Sequence, residues 1–175
     1  MKYINEIEKI SLSEKVSLIK GYDAWDNSYV SFIRDLNTHI SNFYVVLEKL
    51  ERYGLTIVSL LATWDRELLK KALEPIFVEL KTEGVNAVIL EESILNQYDI
   101  SKYVKTEFIS CLIEALQNVG IYVFVSVFDQ EQVVAYEKAF GFLIDPINKN
   151  KVKTDAPLLV FKNGTYLVYT SDFQF

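Results

Sequence analysis

Cysteine and histidine, the side chains that most often bind transition metals or act as catalytic pairs, are nearly absent from this chain. Its 175 residues include one cysteine, Cys111, and one histidine, His39. A single cysteine excludes a disulfide framework and a thiolate metal cluster within one chain. Any histidine-based zinc site or Cys–His pair would depend on these two residues alone. We therefore expect no metal centre of either kind.

Long hydrophobic runs are also missing. No apolar stretch reaches the roughly 20 residues that a membrane-spanning helix needs. The first residues, MKYINE, do not form the apolar core of a signal peptide. Half of the residues are nevertheless hydrophobic and 14% are aromatic, a composition that excludes a disordered chain. We expect a soluble, cytoplasmic protein of one domain, without membrane attachment.

Positive charge is in short supply. The chain has 18 basic and 24 acidic residues, for a net charge of −6. Nucleic-acid binding requires clustered Lys and Arg, so this balance argues against it. An acidic balance is compatible with a basic protein partner and equally with ordinary solubility. We expect a protein partner, no nucleic acid and no cofactor.

Glycine is scarce, and its positions give the layout of the chain. Four of the six glycines separate a helical pattern from a run of strand-forming residues, and these are Gly54, Gly84, Gly120 and Gly141. Glycine often ends a helix because it adopts positive φ without a Cβ clash. The runs that follow are 55–61, 85–90, 121–127 and 142–144. Three of them are continuously apolar, which predicts parallel strands buried on both faces.

Helical patterns fill the segments between these runs. Apolar residues at helical spacing predict helices over 66–83, 101–119 and 130–140. Pro75 should kink or split the first of these. Asp129 and Gln132 are spaced as a helix cap and its capping-box partner.

The N-terminal part also has a helical pattern. An apolar stripe from Ile33 to Leu50 predicts a helix, residues 12–20 predict another, and residues 3–10 are compatible with a helix or an edge strand. At the other end, Asn163-Gly164 lies between two strand-like runs and predicts a hairpin. The predicted fold is one α/β domain, 1–175. It has a helical N-terminal part, 1–53, and a core, 54–175, with a mixed, mostly parallel sheet flanked by helices.

Part of this core resembles the thioredoxin-like fold. Residues 156–166, APLLVFKNGTY, resemble the segment in which thioredoxins place a cis-proline before a hairpin. Residues 127–129 and 139–142 resemble the strand end and helix end that precede it. Ala62-Thr63-Trp64 and the helix around Pro75 resemble the active-site strand and the proline-kinked helix.

Two registers of this resemblance stay open. The active-site loop would be either 65–68 or 93–101, and neither contains a Cys-x-x-Cys. The resemblance therefore implies a redox-inactive, thioredoxin-like interaction protein, with Trp64 and Pro157 among its binding residues.

Two other segments are similar to different families. Residues 124–142 are similar to a late strand and helix of N-acetyltransferases, although the segment expected to hold their pyrophosphate loop, 104–108, has no glycine. Residues 84–92 resemble a strand of a barrel glycosidase, but a full barrel needs about 250 residues. A degenerate acetyltransferase-like domain stays an alternative.

Acidic residues follow the predicted strands. Asp65 comes after the first run, Glu91 and Glu92 after the second, and Asp129 after the third. Ligands of open α/β sheets bind at the carboxyl ends of strands, so these carboxylates are candidates for a Mg²⁺ site or an acid–base pair. Asp65 and Asp129 also stand where helix caps belong, which is the structural alternative.

Other candidates have structural explanations as well. Cys111 lies on the apolar face of a predicted helix, which favours a buried, inert thiol. His39 lies in an amphipathic stretch between Leu36 and Ile40.

The aromatic and acidic segment 21–29 contains Tyr22 and Trp25 and is typical of a protein-binding patch, or of packing between helices and sheet. A third function compatible with the sequence is that of an acidic inhibitor or immunity-type protein that blocks a basic partner.

Overall fold

The computed structural model describes the backbone of residues 6–10, 16–20, 40–62, 65–162 and 165–169, and the side chains of residues 40–62 and 65–160. Several sequence predictions lie outside these residues. They concern the aromatic segment 21–29 with Tyr22 and Trp25, His39, Trp64, and the turn at Asn163-Gly164.

The described residues form one sheet of eight strands in the order β1-β2-β8-β7-β6-β5-β4-β3. The strands are β1 Glu6–Ile10, β2 Val16–Lys20, β3 Ile40–Asn42, β4 Ala87–Glu91, β5 Tyr122–Val127, β6 Gly141–Ile144, β7 Leu158–Lys162 and β8 Thr165–Tyr169. The five strands β3 to β7 are all parallel and lie side by side in chain order. β8 pairs antiparallel with β7 and parallel with β2, and β2 pairs antiparallel with β1.

Helices connect the parallel strands. They are α1 Phe43–Arg52, α2 Ile57–Ala62, α3 Arg66–Thr82, α4 Lys102–Asn118 and α5 Gln130–Ala135, with 3₁₀ helices at Glu92–Gln97 and Pro146–Lys151. Among the described residues, no helix is both long enough and apolar enough to cross a membrane.

The main core lies between the sheet and a layer formed by α1, α3 and α4. Helix α3 packs along α4, and α1 contacts both α3 and β4. Alternate strand residues face this layer, because successive side chains of a strand point to opposite faces. Val88 is aligned with Val123, Val125 is aligned with Phe142, and all four belong to the same buried cluster. The predicted helical layer over a buried parallel sheet is confirmed.

The opposite sheet face is buried too. Ala87, Phe124 and Leu159 on this face are fully buried. A Cβ added at Gly141 would lie 2.5 Å from the carbonyl oxygen of Pro157 and 2.7 Å from the ring of Phe124. Gly141 therefore permits β6 to approach its neighbours closely. This glycine was predicted to end a helix, but it lies in strand β6 and is not among the positive-φ glycines.

Three predictions in the first half of the chain are wrong. Residues 16–20, placed in a helix over 12–20, form strand β2. The predicted helix from 33 to 50 includes strand β3 and begins as α1 only at Phe43. Residues 55–61, predicted as the first parallel strand, contain helix α2 instead. The described part of residues 1–53 is thus three strands and a helix, not a helical extension.

Other predictions hold with changes. Helix α3 runs continuously through Pro75, so the predicted split does not occur. Helix α4 lies where it was predicted, and α5 ends at Ala135, earlier than expected. The peptide bond before Pro157 is trans, unlike the cis-proline that the thioredoxin resemblance implies.

Candidate functional site

Two of the four predicted catalytic carboxylates cap helices. The Asp65 side chain accepts a hydrogen bond from the backbone N–H of Leu68 at 3.1 Å. The Asp129 side chain accepts one from the backbone N–H of Gln132 at 3.0 Å. Both contacts satisfy backbone groups that a helix start leaves unpaired. Asp65 also follows no strand, since the strand predicted before it is helix α2.

Glu91 and Glu92 diverge from each other. Glu92 accepts a 2.6 Å hydrogen bond from the hydroxyl of Tyr136, which is almost fully buried in the helical layer. Burial raises the pKa of Tyr136 far above its ordinary value, and the hydrogen bond and charge of Glu92 raise it further. The hydroxyl of Tyr136 therefore stays protonated at neutral pH. Glu91 is aligned with Ser126 on the opposite sheet face.

Glu92 and Asp129 do share a cleft, of about 180 Å³, beside Lys102 and Glu131. Its charged groups already have partners, since the ammonium of Lys102 lies 2.6 Å from the carboxylate of Glu131. Among the residues with described side chains, no three His, Cys, Asp or Glu side chains are placed to hold a metal ion. Of the four predicted carboxylates, Glu92 and Asp129 line this cleft, whereas Asp65 and Glu91 are not among its lining residues.

A second cleft, of about 410 Å³, lies between α3, α4 and the end of α5. Its centre is the carboxylate of Glu114, which receives the guanidinium of Arg66 at 2.7 Å, the ammonium of Lys138 at 2.8 Å and that of Lys70 at 3.3 Å. Burial favours the protonated carboxyl, but the hydrogen bonds from Lys138 and Arg66 outweigh it and lower the pKa of Glu114 to about 2. This cluster ties α3 and α4 to the turn that follows α5.

A third cleft, of about 330 Å³, lies between α1, α2 and the first 3₁₀ helix. We call it the Tyr44 groove and define it by Tyr44, Leu47, Glu48, Glu51, Val58 and Tyr98. The side chain of Tyr44 is 55% exposed and that of Val58 is 63% exposed. Leu47 and Tyr98 are half-buried and pack against the main core. The groove is therefore an open surface with an apolar floor.

The local sequence explains why this side of α1 stays open. The stripe Phe43, Val46 and Leu50 is buried against the sheet and α3. Tyr44, Glu48 and Glu51 recur at the same helical spacing on another side of α1. Helix α2 begins only at Ile57, after the chain has turned away at Gly54, where φ is +74°.

The Tyr44 groove differs from the other two clefts in the pairing of its charged side chains. Neither Glu48 nor Glu51 forms an ion pair with any residue of the described part of the chain. Lys49, between them in sequence, is 5% exposed and points instead to Glu79 on α3 and to Glu83 just after its end. Two carboxylates that have no cation partner among the described residues thus border an exposed apolar groove.

Two further candidates with described side chains, Cys111 and Pro157, are buried. The thiol of Cys111 is inaccessible, and burial, opposed by the charge of Arg66, raises its pKa to about 11, as expected for an inert thiol. Pro157, a predicted binding residue, is buried, and its carbonyl oxygen accepts a hydrogen bond from the N–H of Phe142 at 3.0 Å. The structure thus presents no surface at either residue.

Comparison with known proteins assigns no family to this chain. No protein-family model, no curated protein and no solved structure matches this chain.

Proposed function

We propose that this chain is a non-catalytic interaction protein that binds another protein through the Tyr44 groove. The observation that carries the proposal is the pairing of an exposed apolar groove with two carboxylates that lack partners within the described residues. The thioredoxin-like relationship remains a proposal from the sequence. The trans bond before Pro157 counts against it, and the groove does not depend on it.

The first support is the contrast between the three clefts. In the clefts around Glu92 and Glu114, oppositely charged side chains pair with each other. In the Tyr44 groove, Glu48 and Glu51 have no such ion pair with any described residue. Charged groups at the rim of an apolar patch are typical of interaction surfaces, where they steer the partner and set its orientation.

The second support is the exposed apolar surface. Tyr is enriched at protein interfaces because its ring contributes contact area while its hydroxyl tolerates water. Tyr44 presents such a ring beside the exposed Val58. The volume of about 330 Å³ is at the small end of ligand pockets, which range over about 300–1,000 Å³. It suits the side chains of a peptide segment better than a whole cofactor.

The test is a selection of phage-displayed random peptides on the intact protein. We expect enriched peptides whose affinity falls at least about tenfold in Tyr44→Ala, the loss that removal of an aromatic anchor produces. The matched control is Tyr103→Ala, since Tyr103 is an exposed tyrosine of α4 outside the groove. It should leave binding unchanged, and circular dichroism should show both variants folded.

Two results would contradict the proposal. One is a selection that enriches no peptide. The other is a set of peptides that bind Tyr44→Ala and the native protein equally well, which would place the binding surface elsewhere.

A further inference from the structure

We infer that the segment bound by the Tyr44 groove is basic and amphipathic, with large apolar side chains flanked by Lys or Arg. This inference rests on the proposed function and adds the chemistry of the partner. The apolar floor accounts for the apolar side chains, and the rim determines the charge of their neighbours.

The geometry of the rim favours two cations. Tyr44, Glu48 and Glu51 follow each other at spacings of four and three residues, so they form one stripe about 10 Å long on α1. The two carboxylates are neighbours one helical turn apart. Two basic side chains at a similar spacing in the partner would each contact one carboxylate at the rim. The apolar side chains of the partner would then contact the floor of the groove.

The charge around the stripe is not balanced from within α1. Its basic residues are Lys49, which is paired with α3, and Arg52, which makes no ion pair with Glu48 or Glu51. Glu51 also lies in the last turn of the helix, next to its negatively polarised end, where a carboxylate is unfavourable. The two acids repel each other as well. Folding stability therefore does not account for Glu48 and Glu51. A cationic partner would offset the charges of both carboxylates and of the negatively polarised end of α1.

The experiment uses three short amphipathic peptides with the same leucine pattern and with Lys, Gln or Glu at the polar positions. Fluorescence anisotropy measures their binding to the intact protein. We expect the Lys peptide to bind at least about tenfold more tightly than the Gln peptide, the effect of one to two rim charges. The Glu peptide should bind most weakly. The preference for Lys should shrink as added salt screens the carboxylates.

The decisive variant is Glu48→Gln with Glu51→Gln. It should reduce the preference for the Lys peptide to about twofold or less, within the small range of screened surface charges. Its thermal midpoint should be unchanged or higher, because it removes unfavourable charges from the end of α1. Glu74→Gln with Glu137→Gln is the matched control. It makes the same change in net charge at exposed positions outside the groove, and it should keep the preference.

The outcomes separate the two proposals. If the Gln or Glu peptide binds as tightly as the Lys peptide and Tyr44→Ala abolishes that binding, the inference is wrong and the proposed function stands. If the control double variant loses the preference equally, net charge rather than the rim selects the peptide, and the inference is also wrong. If no peptide responds to Tyr44→Ala, both proposals are overturned.

Discussion

Ser41 is a buried hydroxyl on β3 with no hydrogen-bond partner in the part of the chain that the structure describes. A buried polar group without a partner costs free energy, because it loses its hydrogen bonds to water on folding. We predict that Ser41→Ala raises the free energy of unfolding by about 1 kcal/mol, measured by urea denaturation.

The same substitution at Ser101 provides the control. The hydroxyl of Ser101 caps α4 by accepting a hydrogen bond from the N–H of Val104 at 3.2 Å. Ser101→Ala should lower the free energy of unfolding by about 1 kcal/mol. The interpretation of Ser41 is wrong if both substitutions shift the urea midpoint in the same direction.

The sequence predicts some residue roles and not others. The positions of Asp65 and Asp129 in the sequence predict their roles as helix caps, because capping depends on a few neighbouring residues. The side-chain oxygen of Gln132 accepts a hydrogen bond from the N–H of Phe128 at 2.6 Å. In a capping box it would accept from the N–H of the cap residue itself, Asp129. The role of Ser41 and the close approach at Gly141 depend on neighbouring strands, and no local pattern indicates them.

Among the elements, α3 and α4 are held to each other and to the turn after α5 by the cluster around Glu114. The pKa of this carboxyl is about 2 in the folded protein, below its ordinary 4.5. A carboxylate with a lowered pKa stabilises the fold above its unfolded pKa, and this contribution disappears as pH falls toward the folded value. The stabilisation is therefore present at neutral pH and lost between pH 4.5 and about 2.

We predict that Glu114→Gln lowers the free energy of unfolding at neutral pH by about 1–2 kcal/mol, allowing for partial solvent screening. Urea titrations at decreasing pH should show this difference closing below about pH 4.5. Glu67→Gln serves as the control, because the Glu67 side chain is 78% exposed and its contact with Lys70 is 4.0 Å. It should change stability little. A difference that does not depend on pH would mean that packing, rather than charge, gives Glu114 its role.

Two elements show where local patterns fail. The apolar run at 55–61 suits a strand or a buried helix, and short runs do not distinguish these by periodicity. A signal for the helix was present, since Thr56 and Ser59 hydrogen-bond to each other's backbone N–H groups as reciprocal caps. Strand β3 has only three residues, and its pairing with β4 overrides a helical stripe that continues into α1.

For the whole molecule, Cys111 reports on unfolding. It is the chain's single cysteine and is fully buried, with a pKa of about 11. Alkylation requires an accessible thiolate. We predict that iodoacetamide labels Cys111 at mildly alkaline pH only when the core opens, so that the labelled fraction and the circular dichroism signal change at the same urea concentration.

A cysteine introduced by Ser93→Cys in a Cys111→Ala background is the control. Ser93 is exposed in the first 3₁₀ helix, so labelling there should be rapid without urea. Rapid labelling of Cys111 in the native protein, or a labelling transition that precedes the loss of helix, would show that this part of the core opens separately.

At this scale the sequence predicts the α/β class, the parallel strands β4 and β5 and the helix α4 between them, because each is a run or stripe of apolar residues with one clear pattern. It does not predict the Tyr44 groove. That surface exists because α2 and the first 3₁₀ helix leave one side of α1 uncovered, and this placement depends on tertiary packing. The spacing of Tyr44, Glu48 and Glu51 was the only local sign of it.

The chain order of β3 to β7 bears on how the protein is made. From β4 to β7, each strand lies beside the one synthesised before it, so a nascent chain leaving the ribosome adds one strand at a time to a growing edge. Domains generally begin to fold in this N-to-C direction during synthesis. Until the next strand emerges, the newest strand exposes an unpaired edge, which neighbouring nascent chains could pair with. The time between successive strands therefore sets the interval in which misassembly competes with folding.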